Sequence, residues 1–191
     1  MGLFIYCGRH NGFSMEFIHG PMGFDELPAY CTAGVLVLGC GNPLMGDDGF
    51  GPVVAEKLLA GPSLDGTCVI NAGTGSRGMI FNLVTGPARP KSIIIVDALA
   101  AKKRPGELFW VDIESLSLEK AEDFSLHMTP ASNMLYQLRE LGVEIRILAC
   151  EPKNLPEMMT DGLTPEVAAA VGPAAGMVLA KAHELLGSGT G

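Results

Sequence analysis

The sequence predicts an α/β protein, a three-layer sandwich in which helices flank a twisted, largely parallel sheet of five strands. Three observations lead to this prediction. Short apolar or β-branched runs alternate with helical patterns from Gly34 onward. The run 93–96 is apolar throughout, as expected of a central strand that is covered on both faces. Thr164, Pro165 and Glu166 have the composition of a helix N-terminus.

Each core element is predicted from its own pattern. The five strands are expected at 35–39, 68–71, 92–97, 107–112 and 143–150. Helices are expected at 51–60, at 130–141 and from Thr164 toward Leu186, because apolar residues recur there at helical spacing. Residues 1–33 show no clear period and are interpreted as an N-terminal extension or a peripheral hairpin. Residues 34–191 are interpreted as a single α/β domain.

Composition narrows the class of protein. The chain has 191 residues with 48% hydrophobic content, which is enough for one real core. Its net charge of -8 and pI near 4.9 argue against nucleic acid as a partner, since such affinity depends on neutralising phosphates. No apolar stretch approaches the roughly 20 residues that cross a bilayer, and residues 1–10 lack the apolar core of a signal peptide. We therefore expect a cytoplasmic protein without a membrane partner.

The cysteines suggest the same compartment. They are odd in number and never form a CxxC pair, a pattern that favours reduced thiols over a disulfide framework or a zinc knuckle. Three of them lie in or beside apolar strand-like runs, where they are expected to act as small buried hydrophobes. The five positions are Cys7, Cys31, Cys40, Cys68 and Cys150.

A glycine-rich loop, "GCGNPLMGDDGFGP" at 39–52, follows the first predicted strand. It does not match a dinucleotide fingerprint, because Leu44 occupies the third glycine position. It has no lysine, so it is not a P-loop. Its acids are neighbours rather than alternating residues, so it is not an EF-hand. The loop therefore carries two carboxylates, Asp47 and Asp48, without a known phosphate or calcium motif.

The acids of this loop have candidate partners at the same sheet edge. Adjacent carboxylates repel, so one of Asp47 and Asp48 is expected at the next helix N-terminus and the other toward a ligand; composition does not assign the roles. Asp97 ends a buried strand, where it either meets a ligand or accepts bonds from neighbouring backbone amides. His127, in a loop, is either a further ligand or a surface residue. Together they suit a divalent zinc, nickel, iron or manganese ion.

The motifs together resemble the hydrogenase maturation endopeptidases, which finish the large subunits of nickel-iron hydrogenases. The resemblance covers nearly everything from Gly34 onward. It rests on "VLVLGCGNPLMGDDGFGP" at 35–52, "NAGT" at 71–74, "IIIVDAL" at 93–99, "LHMTP" at 126–130 and "EPKNLPEMMTDGLTPEV" at 151–167. The glycine-rich loop is most similar to the branch that serves the coenzyme F420-reducing hydrogenases.

The resemblance implies a function and a site. A peptidase domain at 34–191 would remove a C-terminal extension from the hydrogenase large-subunit precursor, using nickel supplied by that precursor and no organic cofactor. The residues that match the family's metal contacts are Asp48, Asp97 and His127. By elimination, Asp47 then becomes the candidate for shaping the loop or capping the helix. The supporting loop residues are Gly41, Asn42, Asp47, Asn71 and Thr74.

Other functions remain open at the level of sequence. A maturation chaperone that binds the metal centre without cutting would use the same three residues. A nucleotide-binding domain would use the glycine loop, but the missing lysine and Leu44 argue against it. Covalent proteolysis lacks its apparatus, because "TGSRG" at 74–78 begins with Thr74 and no cysteine has a Cys/His setting. The turn at 74–78 either binds substrate, supports the metal loop or simply ends the second strand.

Overall fold

The computed structural model describes residues 4–7, 15–17, 29–113, 132–156 and 158–187. The strands are β1 (Phe4–Cys7), β2 (Met15–Phe17), β3 (Val35–Cys40), β4 (Thr67–Gly73), β5 (Ser92–Ala98), β6 (Leu108–Val111) and β7 (Glu144–Cys150). The helices are α1 (Ala29–Thr32), α2 (Phe50–Leu59), α3 (Ser76–Thr85), α4 (Ser132–Glu140) and α5 (Pro165–Gly187), with a 3-10 helix (Gly46–Gly49) before α2.

The sheet has a parallel centre and antiparallel edges. Among the described residues it has seven strands in the order β2-β1-β4-β3-β5-β7-β6. The pairs β3 with β4, β3 with β5 and β5 with β7 are parallel. The five predicted strands are all present, so the predicted fold class is confirmed. Two further strands come from residues 1–33, where β1 pairs antiparallel with β2 and with β4.

Helices cover both faces of the sheet. On β5, Ile93 and Ile95 belong to a core that contains the apolar faces of α3 and α4. Ile94 and Val96 point to the opposite core, which is formed with α2 and α5. Because successive residues of a strand face opposite sides, a continuously apolar strand is what two cores require.

Helix α2 lies unusually close to the sheet. A Cβ atom added to Gly51 would lie 2.2 Å from the carbonyl oxygens of both Cys40 and Val96. A Cβ on Gly39 would lie 2.3 Å from the carbonyl oxygen of Gly51. The two glycines therefore allow backbone to meet backbone, and the turn before α2 is held against the carboxyl ends of β3 and β5.

Helix α3 is the main element that the sequence pattern does not predict. Its apolar residues Met79, Ile80 and Leu83 are buried at helical spacing. The segment nevertheless contains several residues of weak helix propensity. These are Ser76, Gly78, Asn82, Val84 and Thr85. Packing against the sheet therefore outweighs local preference in this segment.

One cysteine departs from the prediction. Cys31, Cys40 and Cys150 are free and buried, as small hydrophobic thiols would be. Cys68, in β4, is disulfide-bonded, so the expectation that it is reduced is wrong. Spacing along the chain carries no information about which thiols meet across a sheet, and disulfide formation depends on that geometry.

In the described part of the chain, no helix has both the length and the apolar character of a membrane span.

The contact at Gly51 yields a stability prediction. Gly51→Ala should lower the free energy of unfolding by about 2–3 kcal/mol or more, because the new methyl group meets backbone that cannot move aside. The matched control is Gly176→Ala in α5, where nothing lies within 4 Å of the added Cβ. That variant should be neutral or up to about 1 kcal/mol more stable. Urea unfolding of both variants checks this, and equal effects would contradict the close-packing account.

Candidate active site

The candidate site lies at the carboxyl ends of the central parallel strands. Asp48 is in the 3-10 helix that follows β3, and Asp97 is the sixth residue of β5. Asp48 is 6% exposed and Asp97 is 2% exposed, so both carboxyl groups are removed from water. Ligand sites of open parallel sheets are found at this edge, beyond the ends of the strands.

Gly41 makes the approach of the two acids possible. Its φ of 121° is in a region that side-chain-bearing residues avoid. A Cβ at this position would lie 1.9 Å from the backbone oxygen of Asp48 and 3.4 Å from Oδ1 of Asp97. Gly41 also donates its N–H to the carbonyl oxygen of Gly73, at 3.2 Å. The glycine therefore lets the loop fold back across the ends of three strands.

Asp47 has a structural role that its sequence position does not reveal. Its Oδ2 accepts the N–H groups of Lys153 (2.8 Å) and Asn154 (3.1 Å). Thr164 donates its N–H to Oδ1 at 2.7 Å and its hydroxyl to Oδ2 at 3.0 Å. Asp47 is 1% exposed, so these four hydrogen bonds replace the water that a buried carboxylate loses. They tie the glycine-rich loop to the segment before α5.

Neither acid caps the helix that follows them. Helix α2 begins after Gly49 with no side-chain hydrogen bond at its N-cap. The expectation that one acid caps this helix is therefore wrong. The carboxylate of Asp47 instead binds donors that are far away in the sequence. Asp47 finds its backbone donors 106 or more positions away, which no local pattern can indicate.

Asp48 is held by its own loop. Its Oδ2 accepts the backbone N–H of Asn42 at 2.8 Å. The side-chain oxygen of Asn42 in turn accepts the N–H of Leu44 at 3.1 Å, which closes a local turn. Asn42 therefore supports Asp48 through its backbone and shapes the loop through its side chain.

Asp97 is the electrostatically strained member of the pair. Its Oδ1 accepts the N–H of Ala98 at 2.8 Å, but its buried Oδ2 has no hydrogen-bond partner among the described residues. Burial raises the pKa of Asp97 to about 8, with a further rise from the negative charge of Asp48. Near neutral pH the carboxyl therefore holds a proton. A cation that reached the pair would favour loss of that proton, because opposite charge lowers a carboxyl pKa.

The described part of the chain supplies only two candidate ligands. In it, no three His, Cys, Asp or Glu side chains are grouped so as to hold a metal ion. The unpartnered Oδ2 of Asp97 nevertheless fits a cation ligand, since a buried carboxylate oxygen otherwise has unsatisfied lone pairs. His127, the third residue expected from the sequence, lies outside the described residues.

Asn71 and Thr74, the remaining support candidates, border the loop without joining the acid pair. The Nδ2 of Asn71 donates to Oε1 of Glu56 on α2 at 3.0 Å, which links the end of β4 to that helix. Thr74 is exposed in the turn between β4 and α3. Asn71 therefore strengthens the scaffold beside the site.

Cys40 is the buried group closest in sequence to the site. Burial raises the pKa of its thiol well above the usual range, and the charge of Asp97 adds to this. A thiol in this state does not supply a thiolate, so Cys40 is not a nucleophile. Burial also raises the pKa of Cys150 to about 12.

The sequence pattern does not indicate the partners of Asp47. Lys153, Asn154 and Thr164 all lie within the 151–167 segment that carries part of the resemblance. All three donate backbone N–H groups, which have no residue-specific signal. Only the hydroxyl of Thr164 could have pointed to a polar partner, and it is expected as a cap instead.

The fold and the site define an α/β protein with a pair of buried carboxyl groups at the carboxyl ends of its parallel strands. A family model for the HycI hydrogenase maturation proteases matches residues 52–181. The chain is 34% identical over 153 residues to the coenzyme F420 hydrogenase subunit delta of Methanothermobacter thermautotrophicus, covering 77% of this chain and 93% of that one. The hydrogenase 3 maturation protease of Escherichia coli is 34% identical over 119 residues, covering 61% and 72%.

Solved structures agree. The hydrogenase maturating endopeptidase HybD from Escherichia coli has a TM-score of 0.64 at 28% identity, covering 78% of this chain and 92% of that one. HybD from Thermococcus kodakarensis has a TM-score of 0.59 at 29% identity, covering 78% and 98%. The chain therefore belongs to the hydrogenase maturation protease family and is a peptide-bond hydrolase. The resemblance inferred from its motifs is confirmed.

The state of Asp97 predicts how stability depends on pH. Its pKa is about 8 in the folded protein against an ordinary 3.8, so ionisation destabilises the folded state. Without added metal, the stability that the neutral carboxyl contributes should be complete below pH 4 and lost as pH rises toward 8. Asp97→Asn cannot ionise and should lack this loss. The free energy of unfolding of this variant should exceed that of the wild type by an amount on the order of several kcal/mol near pH 8.

Urea unfolding of the metal-free protein between pH 4 and 9 measures this effect. Asp161→Asn is the control, because Asp161 is exposed and should leave the wild-type pH dependence unchanged. Parallel curves for wild type and Asp97→Asn would contradict the burial of a neutral carboxyl.

Proposed function

We propose that this protease removes a C-terminal extension from the nickel-loaded large-subunit precursor of a nickel-iron hydrogenase. The observation that supports this most directly is the unpartnered, buried Oδ2 of Asp97 beside the charge of Asp48. A pair of this kind is costly by itself and is relieved by a divalent cation. In this proposal the cation is the nickel that the precursor carries.

The proposed roles follow from the environment of each residue. Asp48 and Asp97, with His127, provide oxygen and nitrogen ligands that suit nickel of intermediate softness. Asp48 is oriented by the Asn42 N–H, and Asp97 releases its proton when the cation arrives. Binding through the precursor's own metal would orient the extension at the site, so a precursor without nickel would lack its anchor.

Hydrolysis needs a water molecule and a proton acceptor. A bound metal can polarise the scissile carbonyl or activate water. A carboxylate of the pair can take the proton of the attacking water when it is ionised and free of the metal. The buried thiols Cys40 and Cys150 remain protonated and do not enter this scheme.

Exposed apolar side chains beside the loop suit a polypeptide substrate. Leu44 is 48% exposed, and Met158 and Met159 are 79% and 73% exposed. The two segments are joined, since the N–H of Thr160 donates to the carbonyl oxygen of Leu44 at 3.0 Å. An open pocket of about 520 Å³ adjoins this junction and is lined in part by Asp47 and Thr160. Apolar groups exposed together mark surfaces that bind another chain.

The F420-reducing hydrogenases are the proposed source of the precursor. The support is the similarity, over 93% of its length, to a protein named coenzyme F420 hydrogenase subunit delta. The glycine-rich loop at 39–52 points to the same branch. We also propose that the protein acts in the cytoplasm, where its precursor is made.

The two adjacent acids should respond differently to substitution. Asp48→Ala should abolish cleavage while the protein stays folded, and His127→Ala should do the same. Asp47→Ala should instead lower the free energy of unfolding by about 2–4 kcal/mol, because it leaves several buried donors without an acceptor. Mass spectrometry of the precursor measures loss of the C-terminal peptide, and urea unfolding measures stability. Cleavage at the wild-type rate by Asp48→Ala would overturn the site assignment.

Nickel recognition has a separate test. Purified enzyme should trim nickel-loaded F420-reducing hydrogenase precursor and leave the nickel-free form intact. Only the loaded form brings a metal ion that the acid pair can bind. Equal rates on both forms would show that the metal is not sensed. Tight binding of the loaded precursor with no loss of mass would instead indicate a non-catalytic chaperone.

A further inference from the structure

The connection between β5 and β6, residues 99–107, contains three consecutive cations, Lys102, Lys103 and Arg104. We call it the basic loop. The chain has only 13 lysine and arginine residues and a net charge of -8, so this cluster stands out against an acidic background. All three side chains are exposed. The loop starts directly after β5, and Lys102 follows Asp97 by five positions, so the cluster lies at the candidate site's edge of the sheet.

Glu151 holds the basic loop in place. Its Oε2 accepts the N–H of Ala101 at 2.7 Å, and its backbone oxygen accepts the N–H of Gly106 at 2.8 Å. Its own N–H donates to the carbonyl oxygen of Glu107 at 2.9 Å. Glu151 is 6% exposed, so these bonds are shielded from water. The loop therefore presents its cations from a fixed backbone, which lowers the entropy lost when a partner binds.

Lys102 has a strained backbone. Its φ of 59° is the only positive value among the described non-glycine residues. Glycine would adopt this conformation without strain, whereas a lysine is tolerated only because its surroundings impose it. Strain of this kind is common at functional positions. A long cationic side chain is thus kept at a position where the backbone alone would favour glycine.

The charges of the loop are only partly neutralised. Lys103 and Arg104 share one carboxylate, that of Glu107, at 3.4 Å and 3.3 Å. Lys103 also lies over the ring of Phe109, 5.0 Å from its centroid. Lys102 makes no ion pair or hydrogen bond with the other described residues. Three cations therefore face the carboxylate of Glu107, and the buried carboxylate of Glu151 binds the loop backbone. Against these two negative charges, the loop keeps a surplus of one positive charge.

We propose that the basic loop binds an acidic segment of the precursor polypeptide beside the site of cleavage. This inference rests on the proposed function, since it names a recognition element for the same substrate. A short acidic segment matches a cluster of this size. A long polyanion such as nucleic acid would be repelled by the rest of an acidic protein. The loop would steer the precursor and align its chain, without taking part in the chemistry.

The experiment measures precursor cleavage by three forms of the full chain at several salt concentrations. Lys102→Ala/Arg104→Ala removes two charges from the loop and leaves Lys103 paired with Glu107. Its KM should rise roughly 3- to 10-fold at about 50 mM salt with kcat unchanged, and the difference should shrink above about 0.5 M salt. Lys57→Ala/Lys91→Ala is the control, because both lysines are exposed and lie at the opposite edge of the sheet.

Each outcome decides the proposal. Equal KM values for the two double variants, or a rise that high salt does not reduce, would overturn the basic loop as a binding element. Loss of affinity for a labelled oligonucleotide, with precursor cleavage unchanged, would assign the loop to nucleic acid instead. If the wild type itself does not cleave the precursor, the proposed function fails, and this inference fails with it.

A second variant separates binding from folding. Lys102→Gly removes the charge and relieves the strained backbone, so its melting temperature should equal or exceed that of the wild type while its KM rises. Lys102→Arg keeps the charge and should retain the wild-type KM. A wild-type KM for Lys102→Gly would show that the strained lysine has no role in binding.

Discussion

The geometry of the site depends on one buried carboxylate, that of Asp47. The four hydrogen bonds it accepts bring the glycine-rich loop and the segment before α5 together across more than a hundred positions of sequence. Hydrogen bonds to a buried charge are worth more than neutral ones, and losing them leaves both the charge and its donors unsatisfied. Asp47 therefore holds the 3-10 helix in place, and the 3-10 helix carries Asp48. An acid without a role in the chemistry positions the acid that we propose to have one.

Asp97, which lies beside Asp48, is less well satisfied by hydrogen bonds than Asp47 is. Within the part of the chain that the structure describes, Asp97 accepts one backbone N–H at Oδ1 and has a second, buried oxygen without a partner, beside a second carboxylate. Burial and like charge both disfavour ionisation, and neither is compensated within the described residues. Most buried polar atoms in folded proteins have a partner, so an orphaned carboxylate oxygen beside another acid requires an explanation. A cation delivered by the substrate provides one, because it removes the repulsion and satisfies the lone pairs together.

Three kinds of surface meet at the carboxyl edge of the sheet. The acid pair lies at the ends of β3 and β5, exposed apolar groups lie on the joined segments near Leu44 and Thr160, and the basic loop follows β5. The parallel topology explains their proximity, since loops after parallel strands emerge on one side. Each surface suits a different property of a polypeptide that carries a metal. The basic loop would steer the polypeptide, the apolar groups would bind it, and the two carboxylates would bind its metal ion.

The fold class, the five core strands and the family follow from the amino-acid sequence alone, and the sequence also indicates the candidate site residues. Periodicity and composition suffice for elements whose local preference agrees with their packing, such as β5 and α5. Helix α3 was missed because its residues favour helix only after its apolar side is buried on the sheet. The disulfide state of Cys68 and the distant hydrogen-bond donors of Asp47 also lay beyond the sequence. Folding brings Asp47 to distant backbone amides and leaves Asp97 with an oxygen that the described residues do not satisfy. The physical reason is that hydrogen bonding and desolvation depend on which groups meet in space, and linear spacing does not contain that information.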